Sequence, residues 1–172
     1  DEINRDKSIV IIGGMRGDSF SKLRNFYIYS EAQKKKDMEY LQGVVKHYRA
    51  QLGDGRLFLH GDPVGSAAWR TTEMQELRKT PCVKTLQIDL CMFSGGKNVL
   101  SKGPMRFLTN SIVIERELKK MTDCLHDHRG GGGGGGGSQR EYPDDLAKII
   151  CRSIFKRKVS STNGAKHIHG PL

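Results

Sequence analysis

The chain has 172 residues, 36% of them apolar, and a formal net charge of +10. This length suits one domain with a single core, and no apolar run approaches the roughly 18–20 residues of a membrane span. We therefore expect a soluble, non-membrane protein. The basic excess is larger in residues 91–172 than in residues 1–90, which favours DNA or another nucleic acid as a partner.

The cysteines and the first residues indicate the compartment. The chain has four cysteines, and they lie far apart with no paired short spacing. This distribution does not match a disulfide framework, so it predicts reduced thiols and an intracellular protein, cytoplasmic or nuclear. The opening "DEINRDKS" has neither the basic nor the apolar region of a secretory signal. It also has no starting Met, which we interpret as a piece of a longer chain.

The first half of the chain alternates between strand and helix patterns. Ser8–Gly13 is a β-branched run closed by two glycines, as is typical of a buried strand. Glu31–Leu52 has apolar residues at spacings of three and four, which predicts a helix. Arg56–His60 is a second short strand. Thr71–Lys79 is a short helix, with its first Thr as a suitable cap.

The second half continues the same alternation. Val83–Leu90 is a third strand by its alternating apolar residues, and "MRFLTN" is a candidate fourth. A helix follows from Asn110 or Ser111 to about Met121. The most secure helix is "YPDDLAKIICRSIFKRK", with acids at its start and bases at its end.

Strands separated by helices predict an α/β fold with a mostly parallel sheet and flanking helices. In such sheets the functional loops follow the carboxyl ends of the strands. The candidate site is therefore formed by the loops that begin at Gly14, Gly61, Cys91 and Thr109.

A run of eight glycines divides the chain at 130–137. Polyglycine buries no apolar surface and is costly to order, so we interpret 130–138 as a flexible linker. It separates the main α/β part, residues 1–129, from a C-terminal helix of the same domain at 139–158. Residues 159–172 show no periodicity, and we expect them to be disordered.

The loop in "IVIIGGMRGDSFSKLRN" allows several interpretations. A phosphate-binding P-loop requires Gly-Lys followed by Ser or Thr, which is absent, and the glycines do not fit a dinucleotide fingerprint. An adhesion role for Arg-Gly-Asp requires an exported protein, and no export signal is present.

Several blocks in order resemble a known family. They resemble the cytosine-C5-type DNA methyltransferase-like domain of retroelement polyproteins and related proteins. The blocks are "SIVIIGGMRGDSFSKLRN", "GRLFLHGDPVGSAAW", "DLCMFS", "KGPMRFLTNS", "CLHDHRG" and "EYPDDLAKIICRSI". The resemblance implies the later part of a doubly wound, Rossmann-like sheet of the class I methyltransferase type, with S-adenosylmethionine as the family's methyl donor.

In that family, a cysteine in the first block attacks a base taken out of the stack. The resemblance places Gly17 at the cysteine position, so the nucleophile is missing. The glutamate of the second block, which holds the target base in the family, falls at Gly61. Asp62 is a candidate substitute from the adjacent position. No catalytic residue is therefore intact, and we expect the chain to be inactive.

The same resemblance implies residues for nucleic-acid contact. They are Arg16, Ser19, His60, Lys102, Arg106 and Thr109. A solvated basic edge is the alternative for Lys102 and Arg106. For Trp69, in the second block, core packing is favoured over base stacking.

The family binds its donor through an earlier strand and a glycine-rich turn that this sequence does not contain. We therefore do not expect this chain to bind S-adenosylmethionine. An N-terminal methyltransferase half, or the rest of a polyprotein, is then an expected partner. Cys124, His126 and His128 are weak candidate zinc ligands, since no fourth ligand is evident nearby in the sequence, and a surface turn is the alternative.

Together these observations predict an incomplete, inactive relative of a DNA cytosine methyltransferase that retains nucleic-acid binding. Two alternatives stay open. One is a basic, non-enzymatic nucleic-acid-binding or assembly module of a mobile element, and the other is a decayed reading frame without activity.

Overall fold

The computed structural model describes residues 8–14, 30–89, 104–120 and 144–163. The strands in these ranges are β1 (Val10–Gly13), β2 (Leu57–Pro63), β3 (Lys84–Ile88) and β4 (Met105–Thr109). The helices are α1 (Glu31–Gly53), α2 (Thr72–Lys79), α3 (Ile112–Lys119) and α4 (Asp144–Asn163), with a 3₁₀ turn at Ala67–Arg70. In these ranges, no helix combines the length and apolar character needed to cross a membrane.

Side-chain caps explain where three of the helices begin. The side chains of Ser30, Thr71 and Ser111 accept hydrogen bonds from backbone N–H groups of α1, α2 and α3. Each cap satisfies an amide that has no partner inside its helix. The expected cap at Thr71 is confirmed, and Ser111 caps α3. α4 extends to Asn163, so it includes the first residues of the segment that we expected to be disordered.

The strands form one sheet in the order β1-β2-β4-β3. β1 and β2 are parallel, whereas β4 is antiparallel to both of its neighbours. The α/β class is confirmed, but the described sheet is mixed and the expectation of a mostly parallel sheet is wrong. The reason is local: β3 and β4 pair directly, with Ile88 opposite Met105. Antiparallel neighbours need no crossover helix, and no helical pattern separates these two strands in the sequence.

Helices pack on both faces of the sheet. Phe58 and Leu108 lie in one buried cluster with residues of α1, α2 and the 3₁₀ turn, and we call this side the α1 face. Leu59 and Phe107 lie in a second cluster with residues of α3 and α4, which we call the α4 face. Successive residues of a strand point to opposite faces, so these alternating apolar residues give each helix layer its own core.

The end of β4 fixes the start of β2. Asn110 accepts a hydrogen bond from the Phe58 N–H at 2.9 Å and donates one to the Arg56 carbonyl at 2.7 Å. The hydroxyl of Thr109 donates to the Phe58 carbonyl at 2.7 Å. Two adjacent polar residues thus satisfy backbone groups of β2, which would be costly to bury without partners.

Candidate functional site

His60 lies in β2 on the α1 face and is fully buried. Its Nδ1 is 3.0 Å from the Tyr48 hydroxyl, and its ring meets the rings of Tyr48 and Trp69 edge-on at 5.7 and 5.3 Å. Burial lowers the pKa of His60 to about 4, so the imidazole is neutral at physiological pH. In the described ranges, its Nε2 has no hydrogen-bond partner.

Gly13 makes room for the group that holds His60. It pairs with His60 across β1 and β2, and a Cβ at this position would overlap the Tyr48 hydroxyl. The glycine at the end of the first strand therefore has a packing role. Without it, Tyr48 would have to move away from His60.

Asp62 follows His60 by two residues on β2 and therefore lies on the same face. Its side chain is almost completely buried, with 5% of the residue exposed. Burial raises the pKa of Asp62 to about 7, and a side-chain hydrogen bond with Ser66 opposes this shift. Oδ2 of Asp62 has no partner among the residues that the structure describes. Near neutral pH this carboxyl group is thus protonated in some molecules and ionised in others. The protonated form can donate a hydrogen bond, whereas the ionised form can only accept one.

Trp69 forms the floor of the site. Its indole N–H donates to the Pro63 carbonyl at 2.8 Å, and its own carbonyl accepts from the Gln75 side chain at 2.5 Å. Trp69 belongs to the core cluster on the α1 face, so its packing role is confirmed. The guanidinium of Arg106 lies over its ring, 5.4 Å from the centroid, which is within the range of a cation–π contact.

Arg106 is half-buried on β4, where Asp62 and Gln87 are its strand partners. Burial lowers the pKa of Arg106, and the positive charge of Arg78 in the last turn of α2 lowers it further. Neither arginine forms an ion pair with a carboxylate in the described part of the chain. The Nε of Arg78 is buried and has no hydrogen-bond partner there. Among the described residues, Arg78 and Arg106 are therefore cations without an ion-pair partner.

The structure brings together His60, Asp62, Trp69 and Arg106 at the carboxyl end of β2. Thr109 lies at the carboxyl end of β4, three residues beyond Arg106, and pairs with Leu59, the residue before His60 in β2. His60 and Thr109 are both fully buried. Nucleic-acid contact by these two residues stays a prediction; in the structure the Thr109 hydroxyl donates to the Phe58 carbonyl, and the His60 ring lies against the rings of Tyr48 and Trp69.

Positions 61 and 62 of β2 face opposite sides of the sheet. Gly61 pairs with Phe107, whose side chain lies on the α4 face, whereas Asp62 lies on the α1 face. Adjacent strand residues point to opposite sides of the sheet. Asp62 therefore places its carboxyl group on the opposite face of the sheet from a side chain at position 61, and its role as a substitute stays a prediction.

Several expected site residues lie outside the described ranges. They are Arg16, Gly17, Ser19, Lys102, Cys124, His126 and His128. Among the residues that are described, no group of three or more His, Cys, Asp or Glu side chains could hold a metal ion.

Sequence reasoning missed Tyr48, Ser66 and Arg78. Tyr48 was recognised only as an apolar position of α1, and its hydroxyl partner is twelve residues away on another element. Ser66 caps the 3₁₀ turn, and a Ser before so short a segment is only a weak signal in the sequence. Nothing in "ELRK" distinguishes Arg78 from a solvated helix residue.

No protein-family model matches this sequence, and neither a curated protein nor a solved structure is significantly similar to it. The resemblance to cytosine methyltransferase-like domains therefore rests on the sequence blocks alone.

Proposed function

We propose that this chain is a nucleic-acid-binding module without catalytic activity, related to cytosine methyltransferase-like domains. The observation that carries the proposal is the half-buried Arg106 guanidinium, which lies over Trp69 at 5.4 Å and has no carboxylate partner in the described ranges. An arginine that is held by an aromatic ring and lacks an internal partner is well prepared for a phosphate oxygen.

The overall charge supports the same partner. A net charge of +10 attracts a polyanion, and each phosphate contact releases counterions from the nucleic acid. The flat Trp69 ring restricts the Arg106 side chain before binding, so less rotamer entropy is lost when a phosphate binds. Such contacts supply affinity but do not read the base sequence.

Absence of catalysis is proposed from the residue types at the family positions. Covalent attack on a cytosine needs a thiolate, and Gly17 stands at the corresponding position. Helices on both faces and the parallel β1–β2 pair are compatible with a doubly wound ancestor. We expect no transfer of labelled methyl groups from S-adenosylmethionine to DNA. Measurable transfer above a protein-free control would refute the inactive assignment.

Nucleic-acid binding is tested by fluorescence anisotropy with a labelled oligonucleotide over a series of salt concentrations. Arg106→Gln should weaken binding about tenfold, because it removes one charge-assisted contact of roughly 1.5 kcal/mol, and should reduce the salt dependence by about one phosphate equivalent. Arg116→Gln is the matched control. Arg116 is exposed on α3, on the other side of the sheet, and its loss changes the net charge equally. Equal effects of both variants would refute a specific role for Arg106.

A further inference from the structure

β1 lies at one edge of the described sheet, with β2 as its neighbour on one side. The carbonyl of Ile9 accepts a hydrogen bond from the Leu57 N–H at 3.0 Å, so the backbone groups of Ile9 point toward β2. Backbone groups alternate in direction along a strand, so those of Ile11 also point toward β2, whereas those of Val10 and Ile12 point away from it. No strand in the described ranges pairs with this outer side, which we call the β1 edge.

The β1 edge has none of the features that usually protect an edge strand. Residues 8–14 include no charged residue and no proline, and Ile9 and Ile12 are 52% and 46% exposed. On the opposite edge of the described sheet, β3 instead exposes Lys84, Thr85 and Gln87. A charge such as that of Lys84 discourages pairing with another chain. The β1 edge is therefore the side of the described sheet that is open to strand addition.

Charge indicates which strand fits the β1 edge. The net charge of +10 draws an acidic partner to basic surfaces, but residues 8–14 offer such a partner no charge. A second copy is repelled by the same net charge, and this repulsion is weakest where neither copy carries a charge. An antiparallel pair of identical strands is also self-complementary about a twofold axis. The apolar, uncharged segment is thus matched best by the same segment of a second copy.

We propose that this chain forms a dimer through its β1 edge, with β1 antiparallel to β1 of the second copy and Ile11 at the twofold axis. In this register, Val10 of each copy lies opposite Ile12 of the partner subunit, and the outward N–H and C=O groups of both residues are satisfied. Ile9, on the α1 face like Ile11, lies opposite Gly13 of the partner subunit, which has no side chain to obstruct it. The two four-stranded sheets become one continuous sheet.

The size of this interface makes the dimer weak. β1 has four residues, and the exposed large apolar side chains beside it are those of Ile9 and Ile12. So short an edge buries less than the roughly 1,200–2,000 Å² of a stable complex. We therefore expect monomer and dimer to exchange, and the dimer fraction to rise between micromolar and millimolar protein concentrations.

Sedimentation equilibrium of the full-length chain, free of nucleic acid, tests the dimer over a series of protein concentrations. A reductant is included, because Cys82 and Cys151 are exposed and can link two copies covalently. Ile12→Lys places a charge at the edge and should raise the dissociation constant of the dimer at least about tenfold. Ile112→Lys is the matched control. Ile112 is 64% exposed on α3, and its substitution makes the same change in side chain and charge, so the constant should stay unchanged.

Hydrogen exchange measured by NMR locates the interface and its register. The Ile11 N–H points toward β2 and should be protected at every protein concentration. The N–H groups of Val10 and Ile12 should exchange slowly only at concentrations where the dimer forms. Ile12→Pro removes an outward N–H and none that points toward β2, so it should weaken the dimer at least about tenfold. Circular dichroism checks that each variant folds.

Three results would overturn the dimer at the β1 edge. The first is a chain that stays monomeric up to millimolar concentration. The second is a dimer that Ile12→Lys and Ile112→Lys weaken equally, or in which the Val10 and Ile12 amides stay unprotected, because its interface then lies elsewhere. The third is protection of these two amides in the monomer, which would assign the β1 edge to another segment of this chain. Nucleic-acid binding is measured separately and is unaffected by these results.

Discussion

Asp62 and Arg106 lie directly opposite each other on β2 and β4, yet their side chains form no ion pair in the described structure. Side chains at such positions have Cβ atoms about 4.5–5.5 Å apart, so pairing is within reach. Instead, Asp62 interacts with Ser66 and Arg106 lies over Trp69. The carboxyl group is therefore a latent internal competitor for any anion that binds Arg106.

This relationship predicts a pH dependence of nucleic-acid binding. Asp62 ionises as the pH rises through about 7 and then competes for Arg106. Binding of an oligonucleotide without a terminal phosphate should weaken several-fold between about pH 6 and pH 8 at constant ionic strength. His60 stays neutral over this interval, since its pKa is about 4. Asp62→Asn should abolish the decline, and an identical pH profile in that variant would contradict the competition.

Asp62→Asn should also stabilise the protein in alkaline solution. The folded-state pKa of Asp62 is about 7 against an ordinary value of 3.8, so the folded state holds a proton that the unfolded state has released between these values. The free energy of unfolding therefore falls as the pH rises through this window, by up to roughly 4 kcal/mol in total. Asparagine cannot ionise and escapes this loss. Urea unfolding should show the full gain at about pH 8 and little gain near pH 4.

The same variant should expose the titration of His60. The ordinary pKa of His60 is 6.5 and burial lowers it to about 4, so acidification over this range protonates the unfolded state alone. In the wild type, Asp62 is protonated in the folded state and ionised in the unfolded state over nearly the same range. The contributions of Asp62 and His60 to the pH dependence of stability therefore cancel. In Asp62→Asn, stability should fall by roughly 1.4 kcal/mol for each pH unit of acidification between these values, relative to the wild type. Parallel stability curves for the two proteins would be inconsistent with opposing titrations.

Asn110 should be important for stability through the backbone of β2. Asn110→Ala leaves the Phe58 N–H and the Arg56 carbonyl without their partner and should cost about 2–4 kcal/mol, a typical penalty for two buried groups. Asn110→Asp can still accept the hydrogen bond from the Phe58 N–H, but it places a carboxylate oxygen next to the Arg56 carbonyl oxygen. This variant should therefore also lower the free energy of unfolding. Denaturant unfolding measures both. A loss of stability in Asn110→Ala no larger than that of an exposed control, Lys120→Ala, would exclude this role.

Gly13 and Tyr48 should be coupled. Gly13→Ala places a methyl group where the Tyr48 hydroxyl lies and should cost about 1–3 kcal/mol, as overpacking of a core does. In the Tyr48→Phe background that oxygen is absent, so the same substitution should cost much less. A double-mutant cycle measured by thermal unfolding gives the coupling. Additive effects would show that the hydroxyl is not the obstacle.

The elements were largely predictable from the sequence because their signals are local. The spacing of apolar residues located α1, and Thr71 identified the start of α2. The direction of β4 was not predictable in the same way, since strand pairing depends on residues far apart in the chain. The expectation of a mostly parallel sheet therefore failed where β3 and β4 pair directly, with Ile88 opposite Met105.

The site was predictable only where it lies on a strand. His60, Asp62 and Arg106 stand within recognisable strand blocks, so their neighbourhood followed once β2 and β4 were paired. The burial of His60 and the approach of Arg78 depend on how α1 and α2 pack against the sheet. No local pattern encodes such packing, and for that reason Arg78 was overlooked.

The direct pairing of Ile88 with Met105 has an evolutionary consequence. The chain leaves β3 and re-enters β4 at adjacent points of the sheet, and closing a connection between two such points costs only about 0.6 kcal/mol more for each doubling of its length. Insertions and deletions between these residues would thus be tolerated without moving either strand. Length differences among homologues should accumulate between Ile88 and Met105. The same position suits the insertion of a foreign peptide or new chain ends in a circular permutant.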